Sequence, residues 1–279
     1  MKSRRCLPVS TAAPMNKTMK AREQHHRVGP TAATASRSAI KKTMSAGTKR
    51  IVPVQTPLAI APELRAFDLD DLVDVRRAFE PATPVLSQQG WRAKPEPDFA
   101  PMTVRCGWRP DELLVFAELT DTDIFTRATA HNQRLWELGD AFEIFLRLVG
   151  RESYVELQVA PNNSRLQLHY SNPAAVERAR ALASVKDFIM PAKTFRSHTW
   201  LLPGGAKWFV LAQIPASPVG GRLRLRPGMD WRFSFSRYDY TRGRVAPVIS
   251  STSPHMKAGY PWSCSAALIF HPSANCPIC

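Results

Sequence analysis

Apolar and polar residues alternate with a period of two along most of the chain beyond residue 101. Such alternation is typical of strands with one face on a core. The segments MTVRCGW and LLVFAELTD, separated by RPDE, predict a β-hairpin. Six further strands are predicted at AFEIFLRL, YVELQVA, RLQLHY, KWFVLAQIP, DWRFSFSRYDY and CSAALIF. The breaks between them are rich in Pro, Gly, Asn and Asp, which favour turns.

Helical signals are few. NPAAVERARALA, residues 172–183, predicts a helix that begins after an Asn cap with Pro in its first turn. FDLDDLVDVRRAF, residues 67–79, predicts a short helix within a proline-rich entry segment. Many short strands with scarcely any helix predict an all-β fold, an antiparallel β-sandwich of the jelly-roll or immunoglobulin-like kind.

The alternation assigns each side chain of the strand AFEIFLRL to a face, because residues two apart share one. Phe142, Ile144 and Leu146 point to the core, whereas Glu143 points to the opposite face. Asp140 lies on the core side of Glu143, so the two cannot form the facing carboxylate pair of a glycoside hydrolase.

The next predicted strand, YVELQVA, follows the same rule. Val155, Leu157 and Val159 point inward, and Tyr154, Glu156 and Gln158 point outward. If the two strands are neighbours, Glu143, Glu156 and Gln158 line one polar face. Two interpretations stay open: a solvated outer face, or the polar side of a ligand site.

Trp136 precedes the strand and stands outside its alternation. A tryptophan there gains little from core burial and can present a flat ring to a ligand. The C–H faces of sugars stack on aromatic rings, while their hydroxyls need charged or amide partners. Trp136 with Glu143 and Gln158 supplies both kinds of group.

The formal net charge of +15 is concentrated at one end of the chain. Residues 1–50 hold 12 Lys/Arg and one acidic residue, which leaves 26 basic and 22 acidic residues in the remainder. Residues 1–55, with no Phe, Tyr or Trp, are predicted to be a disordered basic tail. Such a tail would bind nucleic acid only non-specifically, so we expect no specific nucleic-acid partner.

Targeting signals are absent from the pattern. No stretch has the length of a secretory h-region or a membrane span, so we expect a cytoplasmic protein without a membrane span. A start at Met44 or elsewhere would leave a secreted or periplasmic protein open, and the tail also resembles an organelle transit peptide. Five cysteines, including those of the ending CPIC, do not predict a disulfide scaffold, and residues 273–279 read as a terminal tail.

Several motifs, taken in order, resemble the family 9 carbohydrate-binding modules and their DOMON-like relatives. They are VRCGWRPDELLVFAELTD, LWELGDAFEIFL, YVELQVAPNN, WFVLAQIP, WRFSFSRYDY, SSTSPH and CSAALIF. The resemblance covers roughly residues 62–271, and it makes residues 56–272 one β-sandwich domain. It implies a monomeric, bacterial protein of carbohydrate catabolism that binds a sugar or glycan end.

The resemblance also implies site residues. In that family two aromatic side chains grip the sugar, and a carboxylate and neighbouring polar groups bond its hydroxyls. Trp136 matches the first aromatic residue, Glu143 the carboxylate and Gln158 a neighbouring polar position. Tyr260 and Trp262 are candidates for the second aromatic residue, and Arg237 matches an arginine that either binds ligand or forms a buried ion pair.

Other functions stay open beside this one. The resemblance favours a non-catalytic protein, while an accessory role in a glycoside hydrolase system is an alternative. A degenerate DOMON-like domain would instead bind a protein partner or haem, which needs Met and His ligands. No cofactor is expected, although the resemblance allows a structural calcium ion with unassigned ligands.

Overall fold

Two β-sheets pack face to face in the computed structural model, which describes residues 58–218, 222–253 and 266–271, the side chains of 266–269 excepted. The predicted all-β sandwich is confirmed. In the described part of the chain, no helix is long and apolar enough to cross a membrane. The predicted tails at 1–55 and 273–279, and the candidates Tyr260 and Trp262, lie outside the described residues.

The first sheet has seven strands among the described residues. Numbered in chain order, they are β1 (Leu58–Pro62), β5 (Ala141–Leu148), β6 (Tyr154–Val159), β7 (Arg165–Tyr170), β10 (Asp230–Asp239), β11 (Val248–Ser251) and β12 (Ala266–His271). The order is β1-β12-β10-β5-β6-β7, and β11 also pairs with β10. All pairs are antiparallel except β1 with β12.

The second sheet has five strands among the described residues. They are β2 (Val85–Leu86), β3 (Met102–Arg109), β4 (Glu112–Thr120), β8 (Arg196–Leu201) and β9 (Lys207–Pro215), in the order β2-β3-β4-β9-β8. The predicted hairpin is confirmed as β3 and β4. The sequence pattern does not predict β8, because RSHTWL carries few apolar residues and its side chains are mostly half-buried.

The core between the sheets contains the six side chains that strand parity predicted. Each has a relative exposure of 3% or less, in one cluster: Phe142, Ile144, Leu146, Val155, Leu157 and Val159. Glu143 projects to the other face, as predicted, and pairs in register with Gln158 on β6. The two strands are therefore neighbours, which was the condition for a shared polar face.

The outer face of the first sheet is not solvated. Helix α2 (Pro173–Ala181) covers it, with Val176 and Ala179 packed in one cluster with Phe145. The Asn172 side chain caps this helix by accepting a hydrogen bond from the Ala175 amide at 3.0 Å. Helix α1 (Leu72–Ala78) packs on the second sheet in the same way. The solvated-face interpretation of Glu143 is wrong, since a second apolar layer covers that face.

Candidate ligand-binding site

A cavity of about 350 Å³ lies between α2 and the outer face of the first sheet. Pockets that hold small ligands have volumes of roughly 300–1,000 Å³. Its lining includes Trp91, Trp136, Glu143, Tyr154, Glu156 and Tyr238. The cavity thus combines aromatic walls with two carboxylates, which is a chemistry suited to a small polar ligand with apolar faces.

Glu143 lies on the floor of this cavity and is 5% exposed. The Gln158 amide nitrogen donates to Glu143 Oε1 at 2.8 Å and to Glu156 Oε1 at 2.7 Å. One neutral side chain therefore holds two carboxylates in place. Gln158 itself is fully buried, so the structure places it as a bridge between the two lining carboxylates.

The burial of the two carboxylates changes their acidity. Burial, followed by the charge of Glu156, raises the pKa of Glu143 well above its usual value. Burial raises the pKa of Glu156 to about 7, against the opposing effects of the Gln158 hydrogen bond and the Arg180 charge. Near neutral pH the floor of the cavity can therefore both hold and release a proton.

Trp136 reaches the cavity from a 3-10 helix, Leu135–Glu137, just before β5. Leu135 is fully buried and anchors this turn in the apolar layer beneath α2. The Tyr240 hydroxyl donates to the Trp136 carbonyl at 2.6 Å, and the Arg134 guanidinium lies 5.0 Å from the center of the Trp136 ring. The Tyr240 hydrogen bond fixes the backbone of Trp136, and the Arg134 guanidinium lies over one face of its ring.

The Gly-Asp step after Trp136 has a structural role. Gly139 has φ +140°, and a Cβ atom there would lie 2.6 Å from the Phe125 carbonyl oxygen. The Asp140 carboxylate accepts hydrogen bonds from the amides of Phe125 (2.7 Å) and Tyr240 (2.8 Å). These contacts join three segments of chain beside the cavity and leave Asp140 outside its lining.

Trp91 lines the cavity, although the sequence pattern assigns it to neither the core nor a ligand site. It lies in an irregular segment that is tied to β11 through Gln88 and Gln89. The backbone amide of Gln88 donates to the Ser251 carbonyl at 2.8 Å, and the side-chain amide of Gln89 donates to the Ile249 carbonyl at 2.8 Å. No local pattern marks Trp91, because its position depends on this long-range tether.

Arg237 lies away from the cavity lining, fully buried on the core side of β10. Its guanidinium pairs with Asp121 at 2.8 Å and with Asp239 at 3.1 Å, and it also donates to the Thr120 carbonyl. Of the two roles considered for it, the geometry fits the buried ion pair. All of these groups lie at the junction between the two sheets.

Asp121, Asp140 and Asp239 approach one another closely enough to resemble a cation site, with oxygens within 4.8 Å of each other. Their oxygens already accept hydrogen bonds from backbone amides and from Arg237. Each carboxylate oxygen has a second lone pair, but the Arg237 guanidinium already lies 2.8 Å from Asp121 and 3.1 Å from Asp239. The structural calcium ion that the resemblance allows stays a prediction without assigned ligands.

Comparison with known proteins supports the fold. A scan of protein-family models and a search of curated proteins found no match. Among solved structures, a protein from Bacteroides uniformis described as a candidate carbohydrate-binding protein matches with a TM-score of 0.59 and 14% identity, over 78% of this chain and 100% of that one. The sandwich is therefore a known architecture.

Two family 9 carbohydrate-binding module structures from Caldicellulosiruptor kristjanssonii also match. The complex with cellotriose has a TM-score of 0.52 and 13% identity, over 80% of this chain and 97% of the module. The complex with glucose has a TM-score of 0.53 and 14% identity, over 78% and 98%. The chain has the fold of family 9 modules. At this identity the likeness concerns the fold.

The structure brings some of the predicted site residues together. Trp136 and Glu143 line one cavity, and Gln158 touches Glu143 from below. Strand parity also placed Tyr154 and Glu156 on this face. The cavity residues that the sequence did not single out are Trp91, Tyr238 and the α2 wall. No local signal shows which helix covers a sheet.

Proposed function

We propose that the protein binds a carbohydrate in the cavity beneath α2 without catalysing its conversion. The observation that carries this proposal is the joint presence of Trp136 and the Glu143–Gln158–Glu156 network at one 350 Å³ cavity. Aromatic faces stack on sugar C–H groups, and carboxylates accept hydrogen bonds from hydroxyls. The binding of glucose and cellotriose by modules of the same fold supports this chemistry.

Trp91 is proposed as a second aromatic contact for the sugar. It lines the same cavity as Trp136, and hydrogen bonds from Gln88 and Gln89 hold its segment against β11. Tyr260 and Trp262 remain proposed contacts, although they lie outside the described residues.

The carboxylate pair is poorly arranged for hydrolysis. A glycosidase needs its two carboxyl groups on either side of the scissile bond, with room for the anomeric carbon between them. Here the Gln158 amide nitrogen lies within 2.8 Å of an oxygen of both Glu143 and Glu156. Because the amide fills that space, the pair is proposed to bind hydroxyls rather than to transfer protons to a leaving group.

A glycan array and calorimetry test this proposal with the full-length protein. We expect binding of a mono- or oligosaccharide, and no release of sugar from aryl glycosides. Trp91→Ala should weaken binding, whereas Leu201→Ala, at an exposed position on β8, should not. Absence of binding to every glycan would overturn the proposal, and a Soret band in the purified protein would favour the haem alternative.

A further inference from the structure

The interior of the cavity beneath α2 carries two carboxylates and receives no full positive charge from its floor. Glu143 projects from β5 and Glu156 from β6, and both accept from the same Gln158 amide. An amide supplies hydrogen bonds but is neutral. The negative charge of Glu143 also acts on the Tyr238 hydroxyl on β10, because it is the largest cause of the raised pKa of Tyr238.

Two arginines line the cavity, and each has an acidic partner three residues away in the chain. Arg134 pairs with Glu137 at 2.8 Å, and Arg180 on α2 pairs with Glu177 at 3.5 Å. Arg180 also acts on Glu156, although burial outweighs that effect on the carboxyl pKa. Glu137 and Glu177 lie outside the lining, so the lining itself carries two arginines and two carboxylates, and the two carboxylates are adjacent on the floor, where the Gln158 amide bridges them.

The walls of the cavity favour positive charge as well. Aromatic side chains come from several elements: Trp91, Trp136, Tyr154 on β6, Tyr170 on β7 and Tyr238 on β10. The faces of such rings attract cations, and aromatic walls around an acidic floor are a recurrent setting for ammonium groups. A neutral sugar would satisfy the hydrogen bonds of this site but would offer no charge to the adjacent Glu143 and Glu156 carboxylates.

From this arrangement we infer that the cavity prefers a sugar with a free amine, such as a 2-amino-2-deoxyhexose, over its neutral counterpart. The inference rests on the proposed carbohydrate binding and specifies its substrate class. The ammonium group lies against the Glu143 and Glu156 carboxylates, and the ring stacks on Trp136. A sugar carboxylate at the position of the ammonium group is disfavoured by the two adjacent glutamates.

Binding of an amino sugar should release a proton from Glu156, which distinguishes it from binding of a neutral sugar. The Glu156 carboxyl has a pKa raised to about 7, so at pH 6.5 much of it is protonated in the free protein. A ligand cation stabilises the ionised form and lowers that pKa, which expels a proton. A neutral sugar in the same cavity leaves the proton in place.

The experiment is calorimetry of the full-length protein with glucosamine, glucose and N-acetylglucosamine at pH 6.5, in two buffers of different ionisation enthalpy. We expect glucosamine to bind at least about tenfold more tightly than glucose, with a buffer-dependent heat for glucosamine alone. Glu156→Gln should reduce the glucosamine-to-glucose affinity ratio and the proton release. Glu152→Gln, which removes the same charge at an exposed position outside the lining, should leave both unchanged.

The outcomes separate the two proposals. Glucose binding as tight as glucosamine, or an unchanged affinity ratio in Glu156→Gln, overturns the amine preference and leaves carbohydrate binding standing. If neither these sugars nor any glycan on the array binds, carbohydrate binding fails and the amine preference fails with it.

Discussion

At the scale of single residues, the cavity beneath α2 depends on two side chains with different tasks. Trp136 offers an aromatic ring, and its backbone carbonyl accepts a hydrogen bond from the Tyr240 hydroxyl. Glu143 offers a carboxylate that is buried and paired with a neutral amide. The first is expected to act on binding and, through its contact with the apolar cluster beneath α2, on stability, whereas the second acts on both through its charge.

Trp136→Ala should weaken sugar binding by about 1–3 kcal/mol, by analogy with base–aromatic stacking, which is about 5- to 150-fold in affinity. The loss follows from removal of the stacking face, and calorimetry against a glycan from the array measures it. Trp200→Ala is the matched control, because this ring stacks on His198 on β8 of the other sheet. Equal binding by wild type and Trp136→Ala would place the site elsewhere.

Glu143→Gln should weaken binding and raise stability at pH 8. The amide keeps one acceptor for the ligand but removes a charge whose burial is unfavourable. Because the pKa of Glu143 is raised in the folded state, its ionisation destabilises the protein as pH rises. Urea unfolding should show a gain at pH 8 and a smaller one at pH 5, where the folded carboxyl keeps its proton. A destabilised variant at pH 8 would contradict this.

At the scale of elements, two connections hold the cavity walls in register. Gly139 and Asp140 attach the start of β5 to the segment at Phe125. Arg237 attaches β10 of the first sheet to the end of β4 of the second. Neither contacts the cavity, so changes there should act on stability first.

Gly139→Ala should destabilise the protein by more than the roughly 1–3 kcal/mol of an unfavourable backbone conformation alone. The added Cβ would meet backbone atoms at 2.6 and 2.7 Å, in addition to the positive φ. Gly204→Ala separates the two effects, because Gly204 has φ +93° with nothing within 4 Å of its Cβ. Equal denaturation midpoints for the two variants would show that the close approach at Gly139 is unimportant.

Arg237→Met should lower the free energy of unfolding by about 3–5 kcal/mol, the range for breaking one side of a buried ion pair. The substitution leaves Asp121 and Asp239 buried beside Asp140 without their cation. Arg242→Met removes an ion pair with Asp123 at a position where the arginine is 62% exposed, and it should cost less than about 1 kcal/mol. Similar effects of the two variants in urea unfolding would contradict the structural role of Arg237.

At the scale of the whole molecule, the buried carboxyl groups set the pH dependence of stability. The pKa is raised to about 7 for Asp140 and Glu156 and to about 6 for Asp239, mainly by burial. A group with a raised folded-state pKa contributes stability that is fully present below its unfolded pKa and is lost as pH rises through the folded value. The pKa of His169 is lowered by burial, which gives the opposite slope from a single group.

The melting temperature should therefore fall by several degrees between pH 5.5 and pH 8. The decline from these three groups should lie between their unfolded-state pKa values and their folded values of about 6 to 7, and it should flatten once the folded carboxyl groups have lost their protons. Differential scanning calorimetry across that range measures it, and Glu143→Gln should show a shallower decline. A melting temperature that rises from pH 5.5 to pH 8 would show that these carboxyls are ionised in the folded protein already at pH 5.5.

The sequence by itself determined which side of each strand faces the core. Parity follows from backbone geometry over two residues, so Phe142 inward and Glu143 outward could be predicted without any tertiary information. The all-β class followed in the same way from many alternating segments with turn residues between them. β8 escaped this logic because RSHTWL lacks clear apolar alternation.

Only the tertiary structure decided what lies against each face. Three contacts depend on segments that are distant in the chain. Helix α2 covers Glu143, Trp91 lines the cavity, and Arg237 pairs with Asp121, 116 residues away. Contacts of this kind arise from the packing of whole elements, which local periodicity does not encode. For this reason the sequence predicted the direction of Glu143, while its burial, its raised pKa and its amide-bridged partner appeared only in the folded protein.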